Sequence, residues 1–133
     1  MIIIVDTNFL IYAAKYKIDL FAELDRLYPR YEVILPQKVL LELRRLEKGK
    51  GKDKFHASLS LSMIEKSLAG KKVMIKGVTS RNADEEIIRL IEEIGKKGKE
   101  KINVGTMDKN LSARIKKYNA NIIKIRQKRY LSE

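Results

Sequence analysis

Short apolar runs alternate along this chain with longer stretches in which apolar residues recur every three or four positions. The strand-like runs are IIIV (Ile2 to Val5), EVIL (Glu32 to Leu35), KVMI (Lys72 to Ile75), INVGT (Ile102 to Thr106) and NIIKI (Asn121 to Ile125). Helical periodicity covers Phe9 to Tyr16, Leu20 to Leu27, Gln37 to Glu47, Phe55 to Leu68, Ala83 to Ile94 and Lys109 to Lys117. Pro36 falls between a strand and a helix, where a first-turn proline is tolerated because its missing N–H would have no partner. Strands alternating with helices predict an α/β fold, a parallel sheet with helices on both faces. Two segments interrupt the rhythm, EKGKGKDK (Glu47 to Lys54) and GKKGKEK (Gly95 to Lys101). Both read as mobile basic loops, and neither holds the Gly-x-x-x-x-Gly-Lys-Ser/Thr of a phosphate-binding loop.

The acidic residues are distributed in a way this pattern makes meaningful. Ligand sites of parallel sheets lie beyond the carboxyl ends of the strands. Asp6 ends the first strand, where a carboxylate is costly unless something pairs with it. Glu42 lies one turn into the helix after the second strand, Asp84 in the first turn of the helix after the third, and Asp108 just after the fourth. Each has an ordinary alternative: Asp6 and Asp108 as helix caps, Asp84 as a partner of the helix dipole, Glu42 as a surface ion pair with Lys38 or Arg45. On a helical wheel, however, Asp84 shares the face of Ile87, Ile88, Ile91 and Ile94, while Glu85, Glu86, Arg89 and Glu93 take the outward face. Glu42 falls at the border of the Val39, Leu43, Leu46 stripe, as cleft residues do. Carboxylates about 4 Å apart repel by roughly 4 kcal/mol per pair at an effective dielectric of about 20. A cluster of four therefore predicts protonation or bound cations, and an all-oxygen site selects Mg²⁺ or Mn²⁺, in one or two ions.

Composition narrows the chemistry further. At 133 residues the chain is expected to form one domain, spanning 1–133. Without cysteine it has neither disulfides nor a thiol nucleophile, and its one histidine, His56, leaves no His-His metal motif. His56 is expected at the surface. No apolar run approaches a membrane span and the first residues lack a basic leader, so a cytoplasmic protein with no membrane partner is expected. Lys and Arg number 29 against 17 acids, a formal charge of +12. Such a surplus favours a polyanion, nucleic acid first, although a heat-adapted Lys-rich composition would also produce it. An acidic pit on a basic surface suits a nuclease.

These residues resemble the PIN domain family over essentially the whole chain. The strand ending in Asp-Thr-Asn is Asp6-Thr7-Asn8, the helix glutamate is Glu42, the central aspartate is Asp84 in NADEEII, and the late Thr-x-Asp is Thr106-Met107-Asp108. The family often has Asn where Met107 stands. The resemblance implies a three-layer αβα sandwich around a central parallel sheet, and a metal-dependent endoribonuclease that leaves a 5′-phosphate and a 3′-hydroxyl. It implies that Asp6, Glu42, Asp84 and Asp108 hold Mg²⁺ or Mn²⁺ and do the catalysis, that Asn8 and Thr106 orient them from behind, and that the protein forms a homodimer. Some relatives carry one more acid near the fourth strand, where this chain has Asn103. The biology implied is a VapC-type toxin with an antitoxin partner, or ribosomal RNA processing, with which the basic ending RQKRYL agrees.

RNA contacts are expected from Arg126, Lys128, Arg129 and Tyr130, which combine cation and ring as single-stranded RNA requires, unless they form a solvated C-terminus. Lys38, Arg44 and Arg45 flank Glu42 and either hold phosphates near the acids or form an exposed helix face. Leu20, Phe21, Leu24 and Leu27 exceed what a small core obviously needs; core packing is the favoured reading, with part of that helix as a dimer or antitoxin surface the alternative. Two other classes compete with the nuclease. A non-catalytic RNA-binding module would bind RNA indifferently to divalent ions. A phosphotransfer domain would need Asp6 but not the other three acids.

Overall fold

The structure, a computed structural model, describes residues 1–70 and 72–133. Its strands are β1 (Ile2–Val5), β2 (Glu32–Pro36), β3 (Val73–Lys76), β4 (Ile102–Gly105), β5 (Asn121–Arg126) and β6 (Tyr130–Ser132). The α-helices are α1 (Thr7–Lys15), α2 (Leu20–Leu27), α3 (Gln37–Lys48), α4 (Lys54–Ala69), α5 (Ala83–Lys97) and α6 (Lys109–Ile115), the last running into a 3₁₀ turn at Lys116–Tyr118. The six strands form one sheet in the order β3-β2-β1-β4-β5-β6, parallel except for β6.

Because neighbouring residues of a strand point to opposite faces, each central strand feeds two cores. Ile3, Val5, Val33 and Leu35 face α1, α2, α3 and α4, against Phe9, Leu24, Leu43 and Leu61. Ile4, Ile34 and Val104 face α5 and α6, against Ile87, Ile91, Leu111 and Ile115. The αβα sandwich follows directly from strands that are apolar on both sides. Packing is tight where β4 passes α1: a Cβ on Gly105 would stand 2.7 Å from the Phe9 ring.

The chain winds from β1 outward to β3, then returns to place β4 on the other side of β1. The first crossovers therefore cover one face and the later ones the other, and the strand order reverses between β1 and β4. Such a switch point opens a crevice at the carboxyl ends of the strands.

Three sequence expectations are corrected, those on the basic ending, Glu86 and His56. The basic ending is not a solvated tail: it turns back as β6, antiparallel to β5, with Leu131 fully buried. The turn takes positive φ at Gln127 (51°) and Lys128 (55°), and Arg129 N–H closes it on the Arg126 carbonyl at 3.0 Å. Neither residue is the Gly or Asn that announces such a hairpin, which is why the pattern gave no sign of it. The favoured reading of α2 holds: Leu20 and Leu24 are core, with Phe21 and Leu27 packed beside them. Glu86 faces inward, 1% exposed, where its carboxylate accepts the Lys38 N–H (2.8 Å) and the Val78 N–H (3.4 Å). It supplies the cap that α3 lacks at its own Pro36. His56 is half-buried in the first turn of α4, its ring edge-on to Phe55.

Sheet edges invite pairing with other chains, and α2 closes this one. Glu23 accepts the outward N–H of Leu131 (2.9 Å) and Arg26 donates to the Leu131 carbonyl (2.9 Å), while the two side chains pair with each other.

Candidate active site at the strand switch point

Asp6 and Thr106 stand one residue beyond the paired ends of β1 and β4, where Val5 is in register with Gly105. The Asp6 N–H donates to the Gly105 carbonyl at 3.0 Å, so the two ends are fastened at the crevice itself. From there a string of hydrogen bonds runs through three of the four acids. Thr7 Oγ1 donates to Glu42 Oε2 at 2.9 Å, and Thr106 Oγ1 donates to Asp6 Oδ2 at 3.0 Å. The same Thr106 oxygen accepts the Asp108 N–H at 3.1 Å. Two buried threonines thus fix the elements that carry Glu42, Asp6 and Asp108.

Capping and site-building turn out to be compatible. Asp6 Oδ1 accepts the Thr7 N–H at 2.8 Å and caps α1. Asp108 Oδ1 accepts the N–H groups of Asn110 and Leu111 and caps α6. In Asp108 that leaves Oδ2 without a hydrogen-bond partner among the described residues. Asp84 is no cap at all. Asn82 caps α5 by accepting the Glu85 N–H at 2.9 Å, which leaves Asp84 half-buried in the first turn.

The electrostatics bind the fourth acid to the other three. Burial lifts the Asp6 carboxyl from its ordinary 3.8 to about 6; its bonds from Thr7 and Thr106 oppose the rise, and the charges of Asp84 and Glu42 add to it. Asp84 is raised too, first by burial and then by Asp108 and Glu42, against the pull of Arg114. All four acids therefore share one field. Among the described residues no three acidic or histidine side chains stand at metal-ligating spacing, so they are neighbours rather than a closed cage. The donor chemistry nevertheless fits a hard divalent cation: carboxylate oxygens only, mutually repelling, with one oxygen of Asp108 uncommitted.

The remaining sequence candidates fall in several places. Asn8 is exposed on α1 with no side-chain hydrogen bond among the described residues; the orienting contacts come from Thr106 and from Thr7, whose place beside Asp6 gives no sign of a bond to Glu42. Arg114, in LSARI, was also missed, since nothing in its spacing points to Asp84. Asn103 is buried towards the amino end of β4, donating to Tyr28 Oη (3.1 Å) and Glu133 Oε1 (2.8 Å), and takes no part in the site. Arg44 and Arg45 are exposed on α3 and Lys38 is half-buried at its start. Arg126, Lys128, Arg129 and Tyr130 cluster at the β5–β6 turn, on the sheet edge that carries the acids. There Arg126 donates to Ser132 Oγ (3.1 Å), and Lys128 Nζ lies 5.5 Å from the Tyr16 ring.

A mostly parallel sheet between two helical layers, with four acids gathered at its switch point, defines a PIN-type nuclease fold. The chain belongs to this family, for the sequence pattern described as a PIN like domain matches residues 3–128. Ribonuclease VapC4 of Methanocaldococcus jannaschii is 34% identical over 132 residues, 96% of this chain and 92% of that protein. Among solved structures, the PIN domain endonuclease Utp24 superposes with a TM-score of 0.75 at 24% identity, covering 98% of this chain and 88% of that one. A domain of a functionally unknown protein from M. jannaschii superposes at 0.60 with 14% identity, covering 93% and 90%. At these identities the two superpositions show the fold alone.

Proposed function

We propose that the chain is an endoribonuclease of PIN type, a single nuclease domain over residues 1–133, which hydrolyses RNA with Mg²⁺ or Mn²⁺. The observation that carries this reading is the string Glu42–Thr7–Asp6–Thr106–Asp108 at the switch point, with Asp84 in the same field. Asp6, Glu42, Asp84 and Asp108 would hold the cation, which when bound activates water and neutralises charge on the phosphodiester. Thr7 and Thr106 aim the carboxylates. The basic residues of the α3 face and the β5–β6 turn draw the phosphate backbone to the pit, supported by the net charge of +12.

The 34% relative named as a VapC ribonuclease favours the toxin reading over ribosomal RNA processing, since the Utp24 likeness carries only the fold. An antitoxin and a second copy of the chain would meet exposed apolar groups: Tyr12, Phe55 and Leu59 on α1 and α4 stand out from the surface. No helix is long and apolar enough to cross a membrane among the described residues.

The deciding experiment is cleavage of a mixed single-stranded RNA pool by the wild type and Asp6→Asn, each with Mg²⁺, Mn²⁺ or excess EDTA. Cutting that requires the ion and vanishes in the variant supports the reading. RNA binding that ignores divalent ions, without cutting, would leave the binding-module alternative in its place.

A further inference from the structure

Beside the acids, on the β5 side, lies a cleft of about 550 Å³. Thr106 belongs to both: its hydroxyl holds Asp6, and it is among the residues that line the cleft. Its apolar lining is Met107, Ala113 and Ile125, with Ser112 beside them; its basic rim is Lys109, Lys116 and Lys124. No acid lines it, and none of the three lysines forms an ion pair among the described residues. Met107 is 39% exposed and free to meet a ligand from the cleft.

We infer that this cleft is a subsite for one nucleotide of single-stranded RNA, the one flanking the phosphodiester that the acids address. The inference rests on the nuclease reading and names a part of its substrate contact. The volume lies within the roughly 300–1,000 Å³ of small-ligand sites. A base has a polarisable face for Met107 and an apolar edge for Ala113 and Ile125. Its phosphates find unpaired ammonium groups on the rim, and ammonium groups read charge rather than sequence. The uniform sign of the rim selects a polyanion over a peptide segment of mixed charge. Thr106 is shared by the acids and the cleft, so the nucleotide placed in the cleft is taken to be a neighbour of the phosphodiester at the acids.

The test measures binding of a short fluorescent single-stranded RNA in EDTA, and cleavage of the same RNA in Mn²⁺, for the wild type, Ala113→Trp and Lys124→Ala. Ala113 is exposed on α6, so the indole fills the cleft without disturbing the core. Ala113→Trp is expected to weaken binding and raise KM about tenfold or more, while the Mn²⁺-induced rise in Tm stays as in the wild type. Lys124→Ala should lower the slope of log affinity against log salt by about 0.7, the release of one counterion from a single strand. An RNA carrying an abasic site next to the cut should lose affinity for the wild type and lose nothing further for Ala113→Trp. Wild-type cutting with unchanged binding and KM in Ala113→Trp would overturn the subsite and leave the nuclease standing. Binding that depends on the cleft without any cutting would sustain the subsite and remove the nuclease. A wild type that neither binds nor cuts RNA would remove both.

Discussion

The Thr106 hydroxyl is shared between two acids: it donates to Asp6 Oδ2 at 3.0 Å and accepts the Asp108 N–H at 3.1 Å. One oxygen thus sets the spacing between the carboxylate after β1 and the helix start after β4. A hydroxyl suits this because it donates and accepts at once, which neither an ammonium nor a carboxylate would do.

Thr106→Val keeps the shape and deletes both bonds. It leaves a buried carboxylate short of a donor and an N–H short of an acceptor, a cost of about 1–3 kcal/mol. Under the nuclease reading, RNA cleavage should fall about 10–100-fold, the usual loss when a ligand's orienting partner is removed. Thr106→Ser should recover most of both. Urea unfolding and single-turnover cleavage measure the two effects. Full activity in Thr106→Val would mean the hydroxyl orients nothing.

Asp6 is held at a cost in stability, and pH exposes that cost. Its carboxyl titrates near 6 in the folded chain against 3.8 when unfolded. A raised value means that the stabilising contribution is present below about pH 4 and lost as pH rises through 6. At pH 7 the ionised group therefore costs about 3 kcal/mol. Without metal, Asp6→Asn should melt several degrees above the wild type at pH 7.5, and the gap should close towards pH 4. Mn²⁺ should raise the wild-type Tm by mass action and leave Asp6→Asn where it was. A gap that ignored pH would show that Asp6 is not strained by its burial.

Glu86 links the two helices that carry Glu42 and Asp84. It lies two residues beyond Asp84 on α5 and accepts the N–H of Lys38, one turn before Glu42 on α3. Glu86→Ala orphans that N–H and the one at Val78 inside the protein, which should cost about 2–3 kcal/mol. It should also shift the Mn²⁺ concentration needed to raise Tm, because α3 is freed at its start. Glu86→Gln, which keeps one accepting oxygen, should do less of each. A variant as stable as the wild type would show that water or the backbone replaces the cap.

Much of this was legible in the sequence, for identifiable reasons. Strands with both faces apolar, such as IIIV and EVIL, fixed the layered α/β class and put each following acid on one sheet edge. Glu86 was misplaced because a wheel assigns faces relative to one apolar stripe, whereas α5 touches both the sheet and the start of α3. The outward reading failed where a second neighbour existed. The role of Thr7 was hidden for a related reason: a threonine after an Asp cap looks like any first-turn residue until α3 arrives 35 positions later in the chain. The hairpin of β5 and β6 was invisible because its turn uses Gln127 and Lys128.

That turn gives a last prediction, in which magnitudes decide. A non-glycine residue in the left-handed region costs roughly 1–2 kcal/mol, less for Asn, whose side chain bonds locally. Gln127 makes no side-chain hydrogen bond among the described residues, so Gln127→Asn should raise stability by about 0.5–1 kcal/mol with no effect on RNA. Lys128 differs, because its ammonium lies 5.5 Å from the Tyr16 ring, itself stacked on Tyr12. An exposed contact of that kind is worth about 0.5–1 kcal/mol. Glycine at 128 also gives up about 0.5–1 kcal/mol of chain entropy. Relief and loss nearly cancel, so Lys128→Gly should leave Tm within a degree or two while weakening RNA affinity and its salt dependence. If Lys128→Gly instead stabilised the chain as much as Gln127→Asn and bound RNA as before, the lysine would be neither a clasp on α1 nor a phosphate contact.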